Sequence, residues 1–135
     1  MDFSKSMSVA ASGMRAQTER MKIIAENIAN ANSTSPTKGG DPYRRKIATM
    51  TNSFDRELGA NMVVAGKPDT DKSEFHSQYD PGNPNADSKG YIKLPNVDSL
   101  VEIMDMREAQ RSYEADLTVM DSTKQMLAKT VDLLK

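Results

Sequence analysis

The chain has no cysteine and no tryptophan. The first absence excludes disulfides, thiolate metal sites and cysteine nucleophiles, and it leaves the redox compartment open. The second, with aromatic residues at only 5% of 135, means that a self-contained core would be thin. No charge of one sign dominates. Eighteen basic side chains stand against nineteen acidic ones, so the net charge of −1 gives no electrostatic case for nucleic acid. No apolar run approaches the roughly 18 residues of a membrane span. The opening stretch, MDFSKSMSVAASGMRAQ, is broken by Ser, Lys and Arg and never shows the run of about 7–15 apolar residues of a secretory signal. The expectation is a chain that is soluble when made. If it leaves the cytoplasm, it does so without a cleaved signal. What is plentiful is methionine: ten residues of adaptable apolar surface, suited to interfaces as well as to cores.

Proline and glycine are missing from both ends. All six prolines and six of the seven glycines fall within 33–96, leaving only Gly13 in the flanks. Breaker-free stretches on either side of a breaker-crowded one predict helix, irregular or β middle, helix. The expected divisions are an N-terminal amphipathic helix over 1–32, a middle domain of short strands and ordered loops over 33–96, and a C-terminal amphipathic helix over 97–135. The expected fold class is α+β: long, coiled-coil-like paired terminal helices with a small β-containing middle domain.

The flanks carry heptads. Phe3, Met7, Ala10, Met14, Gln17, Met21, Ile24, Ile28 and Ala31 are spaced alternately by four and three, and only Gln17 is polar. Ile103, Met106, Gln110, Tyr113, Leu117, Met120, Lys124, Leu127, Val131 and Leu134 repeat in the same way. Asn96 and Asp98 are candidate caps, and Ser99 with Glu102 has capping-box spacing. Asp98, Glu102 and Asp105 near the start of this helix, with Lys129 and Lys135 near its end, suit the helix dipole. A second apolar stripe lies on the far side of each helix: Val9, Ala16 and Ile23 in the first, Val119, Met126 and Leu133 in the second. A helix with one partner has no use for two apolar sides, so these point to a bundle or polymer. In the middle, YRRKIATMT (43–51) and NMVVAG (61–66) predict short strands. YDPGNPNADSKGYIKLPN (79–96) predicts an ordered loop followed by an extended piece.

Little here can do chemistry. His76 is the only histidine. A triad drawn from it, a serine and a carboxylate is one that any hydrophilic chain offers. Asp69, Asp71 and Ser73 start like a calcium loop, but Glu74 stands where that loop needs Gly and Asp80 where it needs a bidentate Glu, so a solvated acidic loop is the better reading. Neither a Gly-rich phosphate cradle nor an HExxH zinc motif occurs. No catalytic, cofactor or metal residues are expected, and no small-molecule substrate. Arg44-Arg45-Lys46, with no aromatic stacking platform, reads as a solvated strand or turn, the alternative being contact with an acidic neighbour. Tyr113 reads as a packing residue with its hydroxyl at the edge.

The stretch ENIANANSTSP (26–36) is an odd helix exit, because Asn competes with the backbone for hydrogen bonds. Asn27 and Asn30 share a face. Either these amides bridge polar groups of neighbouring helices where the helix gives way to a loop, or this is a plain helix exit capped by Asn32.

AASGMRAQTERMKIIAENIANANSTS closely resembles the N-terminal signature of flagellar basal-body rod and hook proteins. VEIMDMREAQRSYEADLTVMDSTKQMLAKTVDLL looks like their C-terminal helix, and YDPGNPNADSKGYIKLPNV (79–97) is similar to a segment of the proximal-rod branch. Glu26 departs from the second Asn of many members, as does Ser33-Thr34-Ser35-Pro36 from their Thr-Pro-Gly-Tyr turn. The resemblance implies a structural, non-enzymatic subunit of the proximal rod, its terminal helices pairing inside a tube with the middle domain outside them. It implies export through the flagellar type III apparatus and a place in the periplasmic rod that transmits torque to the hook. The implied partners are proximal and distal rod proteins, the ring-to-rod adaptor and the chain's own copies. The expected assembly interface is Met7, Met14, Met21, Ile24, Asn27, Ile28, Asn30, Asn32, Ile103, Tyr113, Leu117, Met120, Leu127, Val131 and Leu134. A soluble adaptor or chaperone of a secretion system is the alternative, since it too would use amphipathic helices.

Overall fold

The computed structural model describes residues 2–134. Its element order is α1 (Phe3–Ala29), β1 (Lys46–Ile47), β2 (Met50–Asp55), β3 (Ala60–Ala65), β4 (Asp69–Thr70), β5 (His76–Tyr79), β6 (Tyr91–Leu94) and α2 (Ser99–Asp132). The α+β class anticipated from the placement of Gly and Pro is the one observed. Asp2 starts α1, its Oδ1 accepting the Lys5 N–H at 3.1 Å. Asp98 starts α2, accepting the Leu100 N–H at 2.9 Å and the Val101 N–H at 3.4 Å. Each carboxylate meets backbone donors that have no partner inside the helix. The capping box expected of Ser99 and Glu102 does not form, because the Glu102 carboxylate is turned inward. Asn96, the other candidate cap, is also engaged elsewhere.

The end of α1 is tightened rather than capped by a left-handed residue. Ala31 N–H donates to the Ile28 carbonyl and Ser33 N–H to the Asn30 carbonyl. Asn30 Nδ2 reaches back to the Glu26 carbonyl at 2.8 Å. Among the described residues only Gly39, Gly59 and Gly90 have positive φ, so Asn32 is not a left-handed cap.

The strands form three antiparallel two-stranded sheets, β1 with β4, β2 with β3 and β5 with β6. The two stretches expected as strands hold β1, the first two residues of β2 and all but the first residue of β3, while 52–55 of β2 fall outside them. Strands β4 and β5 were not anticipated from the sequence. Every residue in them is exposed, so they carry no alternation to read. In the β2–β3 hairpin Met50 faces Ala65 and Asp55 faces Ala60. Asp55 Oδ1 accepts the Glu57 and Leu58 N–H groups, and Gly59 takes the left-handed conformation that closes the turn.

The chain divides into two compact units. The first comprises 1–21, 48–67 and 107–135, the second 22–47 and 68–106. In the first, α1 runs antiparallel to α2. Arg20 pairs with Glu108 at 3.4 Å. A Cβ at Gly13 would fall 2.5 Å from Asp116 Oδ2. Met7 lines one groove with Met120 and Leu127. The β2–β3 hairpin is fastened to the same stretch of α1. Ser12 Oγ accepts the Val63 N–H at 3.2 Å, and Lys5 Nζ donates to the Gly59 carbonyl at 3.3 Å. Ala16, from the second apolar stripe of α1, lines the groove between helix and hairpin with Met62, Val63 and Val64. Part of that stripe therefore serves to seat a hairpin of the same chain.

In the second unit Ile23, Ile24, Ala31, Ala86, Ile92 and Val97 are buried. The same unit buries the polar side chains of Asn27 in α1, Ser35, Asn96 between β6 and α2, and Glu102 in α2.

Candidate assembly surface and its polar hub

Glu102 lies in the first turn of α2 and is fully buried. An isolated carboxylate there would be very costly, so its partners decide whether the site exists. Arg45 Nε donates to Glu102 Oε1 at 2.5 Å, and Asn27 Nδ2 donates to Oε2 at 3.0 Å. The guanidinium also reaches Asp71 at 3.5 Å and Asp105 at 3.7 Å. Burial opposes the charge on Arg45, but these three acids outweigh it and raise its pKa. The group is a cation at any physiological pH.

Asn27, 1% exposed, uses its amide completely. Besides Glu102, its Nδ2 donates to the Lys46 carbonyl at 2.8 Å. Its Oδ1 accepts from Tyr43 Oη at 2.8 Å and from the Lys46 N–H at 3.0 Å. The amide thus ties α1 to β1 and α2. Burial raises the Tyr43 pKa, which keeps its hydroxyl a donor. Asn96 works similarly, accepting the Arg45 N–H at 2.8 Å and donating to the Asp71 carbonyl and to Ser73. Lys46 pairs with Glu26 at 2.9 Å, which lowers the Glu26 pKa and raises that of Lys46. Arg44 lies 4.2 Å over the Phe75 ring.

The run Arg44-Arg45-Lys46 is therefore not a solvated turn. Every cation in it is partnered, and contact with acidic neighbours is the reading that holds for Arg45 and Lys46. The sequence did not single out Glu102 as the partner, because α2 also carries Asp105, Glu108, Glu114, Asp116 and Asp121; only the basic run at 44–46 hinted at an acidic partner.

The expected interface residues divide into three groups. Ile24 and Asn27 are buried inside the subunit, and Asn27 has no amide group left for a neighbour in this conformation. Met7, Met14, Met21, Ile28, Asn30, Tyr113 and Met120 are half-buried, and Asn32 is exposed. Ile103, Leu117, Leu127 and Val131 are 42–46% exposed and Leu134 83%. The reason lies in α2. Its lowest-exposure line is Glu102, Ala109 and Thr123, with half-buried Asp116 between the last two. That line is one residue earlier than the frame of Ile103 and Leu117. Small and polar residues allow close approach to α1, most of all at Gly13, and the larger side chains are left at the flank. The second stripe of α2 faces outward as well, with Val119 at 49%, Met126 at 43% and Leu133 at 88%. Leu100, Met104 and Phe54, each more than 60% exposed, were not singled out from the sequence.

His76 is exposed on β5. Among the described residues no group of three or more His, Cys, Asp or Glu could hold a metal ion. None of their helices is long and apolar enough to cross a membrane. The second unit offers a polar hub that ties Asn27 of α1 to Glu102 of α2, and in the first unit α2 leaves Leu117, Val119, Met126, Leu127, Val131 and Leu133 exposed.

Two terminal helices flank a small β-containing insertion, and α2 leaves apolar side chains exposed. The family comparisons give this arrangement its class. Residues 7–35 match the model described as "Flagella basal body rod protein", and residues 88–133 match "Flagellar basal body rod FlgEFG protein C-terminal". The chain is similar to a protein named flagellar basal-body rod protein FlgC from Agrobacterium fabrum. They are 49% identical over 127 residues, covering 94% of this chain and 91% of the relative. It is 37% identical to the protein of that name from Bacillus subtilis, over 96% of this chain and 97% of the relative. The protein of that name from Borreliella burgdorferi is also 37% identical, over 100% and 99%. The chain belongs to the FlgC family of flagellar basal-body rod proteins. It is a structural component of the rod and not an enzyme.

Proposed function

We propose that the chain is an axial subunit of the proximal rod, polymerising through its terminal helices to form part of the drive shaft that transmits torque across the periplasm. The observation that carries this reading is the apolar surface that α2 leaves exposed, Ile103, Leu117, Leu127, Val131 and Leu134 along one side and Val119, Met126 and Leu133 along another. Apolar surface exposed on more than one side of a helix in a charged chain marks protein contacts. Covering each such side chain with a neighbour contributes up to about 1.5–3 kcal/mol. The terminal segments 1–32 and 97–135 do the assembling, and 33–96 forms the middle domain. Met7, Met14, Met21, Ile28, Asn30, Asn32, Tyr113 and Met120 complete the contact surface. Ile24 and Asn27 act from within by holding α1 in place.

The partners are copies of this chain, other proximal and distal rod proteins and the ring-to-rod adaptor. The subunit leaves the cytoplasm through the flagellar type III apparatus without a cleaved signal, and its helices complete their folding on assembly. The test is Leu117→Asp with Leu127→Asp in a strain lacking the wild-type chain. Export should persist and rods should be missing. Normal rods from the double variant would remove the α2 face from the interface.

A further inference from the structure

The loop 80–90, between β5 and β6, takes no part in the hub or in the apolar surface of α2, yet it is firmly fastened. Asp87 Oδ1 accepts the Lys89 N–H at 2.8 Å and the Tyr91 N–H at 2.9 Å, and Asn83 Oδ1 accepts the Asn85 N–H at 3.0 Å. Backbone bonds join Asp80 to Gly90 and Ala86 to Asn83, and Ala86 is buried. Gly90 is left-handed, and a Cβ there would come within 3.0 Å of the Tyr79 ring. A loop fixed in this way is a preformed wall, so a ligand meets little ordering cost against it.

That wall and residues 34–40 enclose a cavity of about 170 Å³. At about 30 Å³ per water it has room for about five waters or for one sugar-sized ring. Its lining includes Thr34, Ser77, Asn85, Asp87, Tyr91 and Ile92. Among the described residues, the hydroxyls of Thr34 and Ser77 and the side-chain amide of Asn85 have no hydrogen-bond partner. Ile92 is buried and apolar. Tyr91 lines the cavity while 46% exposed, which places it at the opening. Its ring meets that of Tyr79 edge-on, with centroids 5.2 Å apart. One carboxylate, Asp87, and one ammonium, Lys93, stand on the lining, and Lys93 is paired with Asp41 at 3.1 Å. The cavity therefore favours neither a cation nor an anion. Hydroxyls that both donate and accept, with an aromatic ring at the opening, suit an uncharged ring that carries hydroxyls and lays its C–H face on the tyrosine. Asn85 adds a preference. One amide satisfies another donor to acceptor and acceptor to donor, so a sugar with an acetamido group uses the lining more fully than a plain hexose. We propose that this cavity binds one acetamido-sugar ring, free or at the end of a glycan chain. It is a binding site with no reaction attached, it lies within the second unit alone, and it stands whether or not α2 assembles.

Backbone amide shifts of the purified full-length chain, titrated with N-acetylglucosamine, test this. The amides of Ser77, Asn85, Tyr91 and Ile92 should shift, with half-saturation at about 1–10 mM for a ligand of so few atoms. Those of the β2–β3 hairpin should stay in place. Glucose should need at least about fivefold more, and so should N-acetylglucosamine with the Asn85→Ala chain. The Asn85 side chain has no internal hydrogen bond, so that variant keeps the loop; Ser77→Ala supplies the test if it does not. The linear trimer of N-acetylglucosamine separates the two sources, tighter binding than the monomer's marking a chain end and equal binding a free sugar. No shift up to about 50 mM, shifts untouched by both variants, or equal affinity for glucose would overturn the proposal.

Discussion

Glu102→Gln perturbs the hub while keeping its shape. The carboxylate accepts from Arg45 Nε at 2.5 Å and from Asn27 Nδ2 at 3.0 Å. Glutamine has one acceptor oxygen, so it can serve only one of these donors, and its NH2 group then faces the other. A charge-assisted bond of about 1.5–3 kcal/mol becomes a neutral one of about 0.5–1.5, and one buried donor is left unsatisfied at about 1–3. The whole comes to about 2–4 kcal/mol. It reaches only the lower part of the range of about 3–5 kcal/mol for stripping a buried charge of its partner, because Arg45 keeps Asp71 and Asp105. At about 1.4 kcal/mol per factor of ten, the second unit should open roughly 30- to 1000-fold more often. Urea unfolding followed by far-UV circular dichroism reads the loss. A double-mutant cycle with Arg45→Met should return a coupling of at least about 1.5 kcal/mol. A Glu102→Gln chain within about 0.5 kcal/mol of wild type, or an additive cycle, would refute the hub as a source of stability.

Gly13→Val places a side chain against Asp116, where a Cβ alone would come within 2.5 Å of Oδ2. Rod incorporation should fall and should recover in part with Asp116→Ala; full incorporation of the single variant would deny the close approach. Burial raises the Asp116 pKa above its ordinary 3.8. The charged form is then less favoured in the folded chain, a cost absent at low pH that appears as pH rises through the raised value. Rods built from Asp116→Asn should therefore resist urea better than wild type at neutral pH and equally near about pH 3, and the reverse order would contradict the sign. Glu26, Asp71 and Asp87 are shifted the other way. The Lys46 bond holds Glu26 below 4.5, the Ser73 N–H holds Asp71 below 3.8, and the Tyr91 N–H holds Asp87 below 3.8. Their stabilisation is complete above those ordinary values and is lost as pH falls through the lowered ones. Acidifying the free chain from about pH 5 to 2.5 should lower its urea midpoint, and Asp71→Asn should shrink that drop. A midpoint independent of pH would contradict all three assignments.

The helices were legible because their signal is local. Proline is excluded from both ends and glycine from all but position 13, and residues spaced by three or four from Phe3 to Ala31 and from Ile103 to Leu134 are apolar except at Gln17, Gln110 and Lys124. The lateral position of the packed line was not legible. Glu102, Ala109 and Thr123 form it because they allow close approach, and periodicity counts apolar residues without weighing size. The hub was hidden for a different reason. Asn27, Arg45, Asn96 and Glu102 lie far apart in sequence, and each reads alone as a cap, a helix exit or a solvated charge. Only tertiary contact turns the amide of Asn27, which would weaken an isolated helix, into a group with four partners. Strands β4 and β5 escaped because exposed two- and four-residue strands carry no alternation.

The central claim is that the outward face of α2 meets other axial subunits in the rod. Site-specific photo-crosslinking in flagellated cells addresses it directly, with a photoreactive residue placed at Leu127 or Val131 on that face, or at Ile24 inside the subunit. Basal bodies should carry crosslinks from positions 127 and 131 to rod proteins or to a second copy of the chain, and position 24 should yield crosslinks only within the chain. Intact basal bodies with no intermolecular crosslink from either α2 position, while the reactive group is consumed inside the subunit, would contradict it.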